Sequence, residues 1–402
     1  MGLPIAAAAA GLLSPAFTAA YVERRVAGFA RTVRSSKSIL GQCCHKSCRP
    51  LHTVVLDSGK ELQQSNGCEE ADVLERLSNE FIQIKLLPTA NRMTTKSFYT
   101  EVDGTKIPIG FNVENLRSAK KYKPLDSDIF ICTFPKCGTN WTKRIVQLLI
   151  DRESRTGEVA DYGLSKCFLE MAGASVISSQ PEPRIVTSHL YFKEIPWNPN
   201  TKYIYVLRNP KDCCVSYFHH TKRTKVYDYE NGTLTDYVTT FLNGETSFGS
   251  YFEHFRQWYA QKDRPNVLFL TYENMKQDPV KEIQKIIAFL GLPCPELRDP
   301  SSAKFQHVLK ESGIDAMKDY VEENYRTAFA GASETGWKAR SDYPCDRAPP
   351  PPDCFVRKGI VGDWKNEFSF ADSKAIEGQM LRACEGFASV QDIWDDKVWR
   401  DC

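Results

Sequence analysis

The hydrophobic and polar positions in the middle of the chain form two alternating patterns. Short runs of apolar, β-branched and aromatic residues, each bounded by polar or turn-forming residues, predict buried strands at 129–134, 184–190, 202–207 and 266–271. Between these runs, apolar residues recur at every third or fourth position, which predicts helices. The helices are expected at 111–118, 210–220, 235–261 and 279–290, and after the first strand, where one face carries Trp141, Ile145, Leu148 and Leu149.

Strands that alternate with helices at this spacing imply βαβ units. The sequence therefore predicts a three-layer α/β/α fold with a mostly parallel central sheet that helices cover on both faces. In such sheets ligands bind beyond the carboxyl ends of the strands. A side chain with useful chemistry lies just past the end of each predicted strand: Lys136, His189, Arg208 and Tyr272. One binding site is expected to contain all four.

The first part of the chain differs from the rest. We interpret residues 1–95 as an N-terminal extension, largely disordered, ahead of a catalytic domain at 96–402. The extension contains one plausible amphipathic helix at 70–86. Residues 2–22 carry no charge, are rich in alanine and are followed by arginines. This segment could be a signal peptide, a membrane anchor or a transit peptide, and its composition favours none of the three.

Composition and charge narrow the possible partners. Of the 402 residues, 42% are hydrophobic and 25% are charged, so the chain can bury a sizeable core. A net charge of +2 gives no global attraction to nucleic acid or firm association with an anionic membrane. Cys132, Cys137, Cys213 and Cys214 fall inside predicted elements, which favours free thiols and a cytoplasmic location. The Cys/His cluster at 43–48 has no second pair at zinc-finger spacing, so a metal site is not expected there.

The loop after the first strand has the composition of an anion site. Lys136 contributes a positive charge, and Gly138 lets the backbone approach a ligand closely. Thr139 and Asn140 offer side-chain hydrogen bonds, and the following helix begins with unpaired N–H groups. A phosphate or a sulfate is the expected occupant, although an ordinary strand–helix turn that binds nothing is the alternative. The commonest phosphate-binding loop, Gly-x-x-x-x-Gly-Lys-Ser/Thr, is absent from the sequence.

Two further segments place cations beside a helix start or a glycine. Arg208 precedes the next predicted helix; its planar fork can hold two phosphate oxygens, and Ser216 could face the same pocket. Near the C-terminus, Arg357 and Lys358 precede Gly359 in the run Arg-Lys-Gly-Ile-Val-Gly-Asp-Trp. Taken alone, the first segment could be a helix-capping turn with a surface arginine, and the second a solvated basic loop.

The three segments in this order resemble the cytosolic sulfotransferase family, from about residue 98 to the C-terminus. They match Pro-Lys-x-Gly-Thr-x-Trp, the family's 3'-phosphate-binding region, and Arg-Lys-Gly-x-x-Gly-Asp-Trp. The resemblance implies a P-loop-like loop that binds 3'-phosphoadenosine 5'-phosphosulfate (PAPS). It implies sulfonate transfer, without a metal, to a small, hydrophobic phenol, alcohol, sterol or amine. The implied donor-site residues are Lys136, Gly138, Thr139, Asn140, Trp141, Arg208, Ser216, Tyr272, Arg357, Lys358 and Gly359.

The resemblance also implies catalytic roles. His189 matches the histidine of the family's Lys-Thr-His-Leu segment and would be the general base. Lys136 would stabilise the departing phosphate, and Ser216 would hold Lys136 away until the acceptor arrives. The family's lysine, two residues before the histidine, is Thr187 here. Either Lys193 or another group replaces its charge, or turnover is slow.

Two other functions stay open on the sequence. A P-loop kinase would need Mg²⁺ ligands and a lysine after the loop glycine, and the sequence offers neither. The second is a catalytically weak or silent protein that binds PAPS or the product 3',5'-adenosine bisphosphate (PAP). Thr187 favours this second function, whereas the presence of Lys136, His189 and Ser216 opposes it.

Two C-terminal segments bear on assembly and on access to the site. In the family, Lys-x-x-x-Thr-Val-x-x-x-Glu forms a small dimer contact. The matching positions here end in a base in place of the acid, so a monomer or a weak homodimer is expected. Four consecutive prolines within 346–353 predict a stiff spacer where the family has part of a mobile lid. The positions that match the dimer segment are Lys365, Ser369, Phe370 and Lys374.

Overall fold

The computed structural model describes residues 98–150, 164–330 and 356–399. The predictions for the N-terminal extension at 1–95 lie outside the described residues, including its helix at 70–86 and its Cys/His cluster at 43–48. The proline segment at 346–353 lies outside them too.

A parallel sheet forms the centre of the fold. Its strands are β3 (Ile129–Thr133), β4 (Ile185–Ser188), β5 (Lys202–Leu207) and β6 (Val267–Thr271), and a separate antiparallel hairpin consists of β1 (Tyr99–Val102) and β2 (Thr105–Pro108). The order in the sheet is β4–β3–β5–β6, and every neighbouring pair is parallel. Ile131 in β3 pairs with Thr187 on one side and with Ile204 on the other. The four strands coincide with the four predicted apolar runs, which confirms the predicted sheet.

Helices connect and cover the strands. Asn112 caps the first of them by accepting hydrogen bonds from two backbone N–H groups, and Asp278 caps the one that begins at Pro279. Among the described helices, none is both long enough and apolar enough to cross a membrane. The α-helices of the described residues are α1 (Val113–Ala119), α2 (Thr139–Ile150), α3 (Leu164–Cys167), α4 (Leu169–Ser178), α5 (Pro210–Arg223), α6 (Leu234–Leu242), α7 (Tyr251–Tyr259), α8 (Tyr272–Gln277), α9 (Pro279–Leu290), α10 (Ala303–Glu311), α11 (Ile314–Ala330), α12 (Phe370–Cys384) and α13 (Asp396–Trp399).

The sheet is buried on both faces, as alternating side chains of β3 demonstrate. Phe130 and Cys132 pack into a core cluster that includes residues of α4, α5, α7 and α12. Ile129 and Ile131 pack into a second cluster with residues of α2, α9 and α10. Because successive side chains of a strand point to opposite faces, the two clusters lie on opposite sides of the sheet. The three-layer α/β/α fold is therefore confirmed.

The single long helix predicted at 235–261 is wrong. Two helices, α6 and α7, occupy this region, and a turn separates them. Gly244 and Gly249 adopt left-handed backbone with φ of 67° and 74°, which a continuous helix does not allow. Ser250 then caps α7 by accepting from the Glu253 N–H. Between the two glycines, Phe248 has a φ of 65°, and its N–H donates to the carbonyl oxygen of Lys106 in the hairpin at 2.9 Å.

Candidate active site

A cavity of about 390 Å³ lies beyond the carboxyl ends of the parallel strands, because residues that directly follow β4, β5 and β6 and the loop after β3 line it. This is the place that parallel sheets use for ligands. Every residue predicted for the site lines this one cavity: Lys136, Gly138, Thr139, Asn140, Trp141, His189, Arg208, Ser216, Tyr272, Arg357, Lys358 and Gly359.

The loop between β3 and α2 turns through two residues with left-handed backbone. Lys136 has a φ of 69°, a conformation unfavourable for lysine, and Gly138 has a φ of 102°. A Cβ at Gly138 would lie 3.0 Å from the ring of Tyr272, so a larger residue would push this loop against the ring. The hydroxyl of Thr139, the first residue of α2, lies 2.7 Å from that of Thr133. The loop thus brings the unpaired N–H groups of a helix start to the cavity.

Arg208 follows β5 and lies against the loop between β3 and α2. We call this loop, together with the first two residues of α2, the anion loop; it includes Lys136, Gly138, Thr139 and Asn140. Its Nη1 donates to the carbonyl oxygen of Lys136 at 3.1 Å, and its guanidinium carbon lies 4.4 Å from the ring centre of Tyr272. Asn209 fixes the turn by capping α5 through the Lys211 N–H. The Arg208 Nε is buried and has no hydrogen-bond partner within the described ranges. A buried N–H without a partner is costly, so this donor fits an anion bound in the cavity.

Arg357 and Lys358 reach the cavity from the loop before Asp363. The carboxylate of Asp363 forms an ion pair with each of them. The Lys358 Nζ lies 2.9 Å from one carboxylate oxygen of Asp363, and Arg357 pairs with the other oxygen. Although burial opposes ionisation, hydrogen bonds from these two cations and from Asn366 lower the pKa of Asp363 to about 2. An internal carboxylate therefore positions both cations for an anionic ligand.

Trp141 and Tyr272 form an aromatic wall beside these cations, with ring centres 5.4 Å apart in an edge-to-face arrangement. The Trp141 indole N–H donates to the carbonyl oxygen of Ser312 at 2.9 Å.

Lys276 also lines the cavity, with its ammonium 5.5 Å from the centre of the Trp141 ring. Burial, assisted by the charge of Arg208, lowers the pKa of Lys276. Sequence reasoning missed Lys276, although its spacing of four from Tyr272 on one helix could have indicated it. We call the part of the cavity formed by the anion loop, the cations and this wall the cationic half.

His189 follows β4, and a backbone contact fixes its ring. Its Nδ1 lies 2.8 Å from the carbonyl oxygen of Thr133, so Nδ1 carries the proton and Nε2 is the acceptor nitrogen. The ring centres of Phe168 and Phe248 each lie 5.0 Å from the imidazole. Burial, and to a smaller extent the charge of Lys136, lower the pKa of His189 to about 4, so the imidazole is neutral at pH 7. A neutral imidazole with an available Nε2 suits a general base.

Glu170 supports the strand end that carries His189. One of its carboxylate oxygens accepts from the His189 N–H at 2.6 Å and from the Ser188 hydroxyl at 2.8 Å. Burial raises the pKa of Glu170 to about 7, against the opposing effect of these hydrogen bonds. Sequence reasoning did not find Glu170, because it lies on a different element from His189 and no local motif joins the two.

A family model described as Sulfotransferase domain matches residues 126–387. The chain belongs to the sulfotransferase family. Human Sulfotransferase 1C2 is 31% identical to this sulfotransferase over 305 residues, with coverage of 71% of this chain and 92% of the relative. Rat Sulfotransferase 1C2 is 33% identical over 284 residues, with coverage of 66% and 86%.

Solved structures share the fold of this sulfotransferase. A mouse sulfotransferase, SULT7A1, complexed with PAP, has 24% identity and a TM-score of 0.55, with coverage of 72% of this chain and 95% of that chain. Retinol dehydratase in a complex with retinol and PAP has 21% identity and a TM-score of 0.56, with coverage of 77% and 95%. The likeness extends over most of each of those chains, so this sulfotransferase has the whole fold.

The other wall of the cavity of this sulfotransferase is apolar. The ring centre of Phe111 lies 5.8 Å from that of Phe168 and 6.3 Å from that of Phe248. The three phenylalanines surround the side of the cavity next to His189, and we call this part the apolar half. Sequence reasoning missed them, because each comes from a separate segment of the chain. The other apolar residues that line the cavity include Pro108, Met171, Val226 and Tyr227.

Thr187 lines the cavity from β4, where its hydroxyl donates to the carbonyl oxygen of Cys167 at 3.3 Å. Lys193 is exposed, its ammonium lies 5.5 Å from the ring centre of Tyr191, and it is not among the cavity residues. The expectation that Lys193 could replace the missing family lysine is therefore wrong. The loop that follows β4 carries Lys193 away from the cavity.

Proposed function

We propose that this sulfotransferase transfers the sulfonate group of PAPS to a hydroxyl or an amine of a small, largely hydrophobic acceptor. One observation carries the proposal: a single cavity joins a cationic half to an apolar half, and His189 lies between them. An anionic donor suits the first half and an apolar acceptor suits the second. The histidine lies where the two substrates would meet.

The cationic half has the groups that PAPS would need. The Arg208 Nε is an unused donor for the 3'-phosphate, and Ser216, Arg357, Lys358 and Gly359 line the same region. The donor's adenine would contact the aromatic wall. Its phosphosulfate would be held by the N-terminus of α2 and by the anion-loop residues Lys136, Gly138, Thr139 and Asn140.

In the proposed reaction, Nε2 of His189 takes the proton from the acceptor hydroxyl as the acceptor oxygen bonds to the sulfur. The bond between that sulfur and the bridging phosphate oxygen breaks, and the electron pair leaves with PAP. Lys136 stabilises the negative charge that develops on this oxygen more than it stabilises the bound donor. Ser216 would restrain Lys136 until the acceptor is bound. The residues of the cavity supply each of these steps, and the reaction is proposed to proceed without a metal.

The apolar half supports a hydrophobic acceptor, such as a phenol, an alcohol, a sterol or an amine. Retinol dehydratase structures contain retinol or androsterone together with PAP, and we propose a ligand of similar apolar character here. We further propose a cytoplasmic protein that does not bind nucleic acid or firmly associate with membranes, and a monomer or weak homodimer. Phe370, which lies at the expected dimer segment, is 72% exposed.

A protein that binds PAPS or PAP with little or no turnover is the second candidate, and Thr187 in place of the family lysine favours it. One experiment separates the two. A panel of phenols, sterols and amines is incubated with radiolabelled PAPS, and PAP binding is measured by calorimetry in parallel. Sulfonation of at least one acceptor supports the proposed function. PAP binding without any sulfonation favours the silent binder, and the absence of both contradicts both candidates.

A further inference from the structure

The segment 390–399 lies beyond the matched domain, which ends at residue 387, and packs against the cationic half. Trp394 and Trp399 of this segment are buried, and their rings stack with centres 5.8 Å apart. The Trp394 indole N–H donates to Oε2 of Glu273 at 2.8 Å. Glu273 is the second residue of α8, which begins with Tyr272 of the aromatic wall. This hydrogen bond therefore joins the segment to a wall of the cavity.

Glu273 also joins the segment to the turn at Arg208. Its other carboxylate oxygen, Oε1, accepts from the Asn209 N–H at 2.9 Å, and Asn209 both follows Arg208 and caps α5. Glu273 is 4% exposed. Burial raises the pKa of Glu273 to about 7, whereas the two hydrogen bonds and the charge of Arg208 oppose this effect. A single carboxylate thus connects the end of β5, the start of α8 and the segment 390–399.

The segment contacts the same turn at two further points. The Asn209 Nδ2 donates to the carbonyl oxygen of Val398 at 3.0 Å, and the buried Lys211 Nζ donates to that of Trp399 at 2.6 Å. Both acceptors are backbone groups, which a substitution of a side chain in the segment leaves in place. The hydrogen bond of Trp394 can therefore be removed while the other two are kept.

The donor from Trp394 matters because the carboxylate that it meets is buried. Without this donor, Oε2 of Glu273 would be left unpaired, which is costly, so the carboxylate would take up a proton or shift toward another donor. Either change alters the hydrogen bond to the Asn209 N–H. Arg208 is the preceding residue, and its Nη1 donates to the carbonyl oxygen of Lys136 in the anion loop. A shift of this turn therefore moves the guanidinium relative to the anion loop.

We infer that Trp394 is a positioning residue of the donor site, which acts through Glu273 to hold the Arg208 guanidinium where it meets the donor's 3'-phosphate. This inference rests on the proposed function. Trp394 is not among the cavity residues, so it influences the donor only through the groups that it orients. A role in donor binding is thereby assigned to a residue outside the matched domain.

The test measures PAP binding to the full-length protein by calorimetry. Trp394→Phe keeps an aromatic ring and removes the indole N–H, and the Kd for PAP should rise about three- to tenfold, as expected for residues of one hydrogen-bond network. In the sulfonation assay the loss should appear in the KM for PAPS rather than in kcat. Trp399→Phe is the matched control, because it makes the same change in the stacked ring and keeps the carbonyl that Lys211 contacts. Its Kd should stay within about twofold of wild type.

A double mutant separates positioning from a general structural role. In the Arg208→Ala background, Trp394→Phe should change the Kd by less than about twofold, because the group that Trp394 positions is gone. Equal weakening in both backgrounds would mean that Trp394 only stabilises the fold, and it would overturn the inference. An unchanged Kd for a folded Trp394→Phe variant would overturn it too.

Circular dichroism and the thermal midpoint check that each variant is folded. If Trp394→Phe does not fold, Glu273→Gln decides, because its amide places a donor against one of the two N–H groups that the carboxylate accepts. Weaker PAP binding in this variant that disappears in the Arg208→Ala background supports the inference, and any other result overturns it. A wild-type protein that does not bind PAP contradicts the proposed function, and the inference with it.

Discussion

The cationic half of the cavity and its apolar half are assembled from different kinds of sequence. The cations that the sequence predicts for the cationic half lie in short contiguous segments: the loop at Lys136, the turn at Arg208 and the pair Arg357–Lys358. The apolar half is assembled from single residues that lie far apart in the chain, such as Phe111, Phe168 and Phe248. Anion binding uses local backbone geometry and adjacent charges, whereas a hydrophobic wall needs only side chains brought together by the fold.

The halves also differ in how their side chains are held. In the cationic half, hydrogen bonds and ion pairs orient the groups, as Asp363 does for Arg357 and Lys358. In the apolar half, ring packing orients them, and His189 shares both types of contact. Substitutions in the cationic half are therefore expected to change donor affinity, and substitutions in the apolar half to change acceptor selection.

Replacement of His189, which lies between the two halves, should have the largest effect on turnover. His189→Asn removes the proposed general base but keeps a polar side chain at the end of β4, and turnover should fall about 10²–10⁴-fold, the usual contribution of general-base catalysis. PAP affinity should change little, since His189 lies outside the cationic half. Steady-state kinetics and calorimetry measure the two quantities. A variant that retains more than a tenth of wild-type turnover would remove His189 from the role of base.

The titration of His189 gives the second prediction. Because burial lowers its pKa to about 4 in the folded protein, against about 6.5 in the unfolded chain, the folded protein takes up its proton only as the pH falls toward 4. Between these values the unfolded chain binds more protons, so this group lowers stability as the pH falls from about 6.5 to 4. NMR titration of labelled histidines measures the pKa of His189, and the His189→Asn variant assigns its signal. A midpoint near 6.5 would contradict the burial of the ring.

Arg208→Ala tests the cationic half. It removes a charge-assisted hydrogen-bond donor, and PAP binding should weaken by about 1.5–3 kcal/mol, or roughly 10- to 150-fold. Binding should not require an acceptor, because the cationic half is complete without the apolar one. Arg208→Lys keeps the charge but loses the fork, and it should fall between alanine and wild type. An unchanged dissociation constant for Arg208→Ala would place the 3'-phosphate elsewhere.

The contrast between the two halves also explains which parts of the fold and of the site could be predicted from the sequence. The strands and the parallel sheet were predicted from local patterns, and the site residues were predicted from local patterns together with the resemblance to the family. The structure brings those residues to one cavity. The break at Gly244–Gly249 was missed, because the apolar spacing of α6 and α7 looks continuous across it. That break places Phe248 in the cavity. Glu170 and Phe111 were missed for a related reason: their contacts with the site depend on tertiary packing that no spacing in the sequence records.

Phe111→Ala tests the apolar half with a smaller effect. The substitution removes apolar surface that the acceptor would contact in this wall, which should cost about 1 kcal/mol of acceptor binding, so the acceptor KM should rise about fivefold. PAP affinity should stay within twofold of wild type. Phe387→Ala is a suitable control, because this ring is 38% exposed and lies outside the cavity. A larger loss of PAP affinity than of acceptor affinity would mean that the two halves are not separable.

Thr187→Lys is expected to have the smallest effect and to test the place where the halves meet. It restores the cation that the family carries two residues before the histidine. Charge near the transferred sulfonate should stabilise the transition state, but Thr187 is 3% exposed, and the cost of burying an ammonium offsets much of the gain. A net gain of roughly 0.5–1 kcal/mol would raise kcat about two- to fivefold. Thr187→Met adds similar length without charge and should not raise kcat. Equal kinetics for the lysine and methionine variants would mean that the wild-type site does not lack a cation at this position, and that the existing charges of the cationic half are sufficient for turnover.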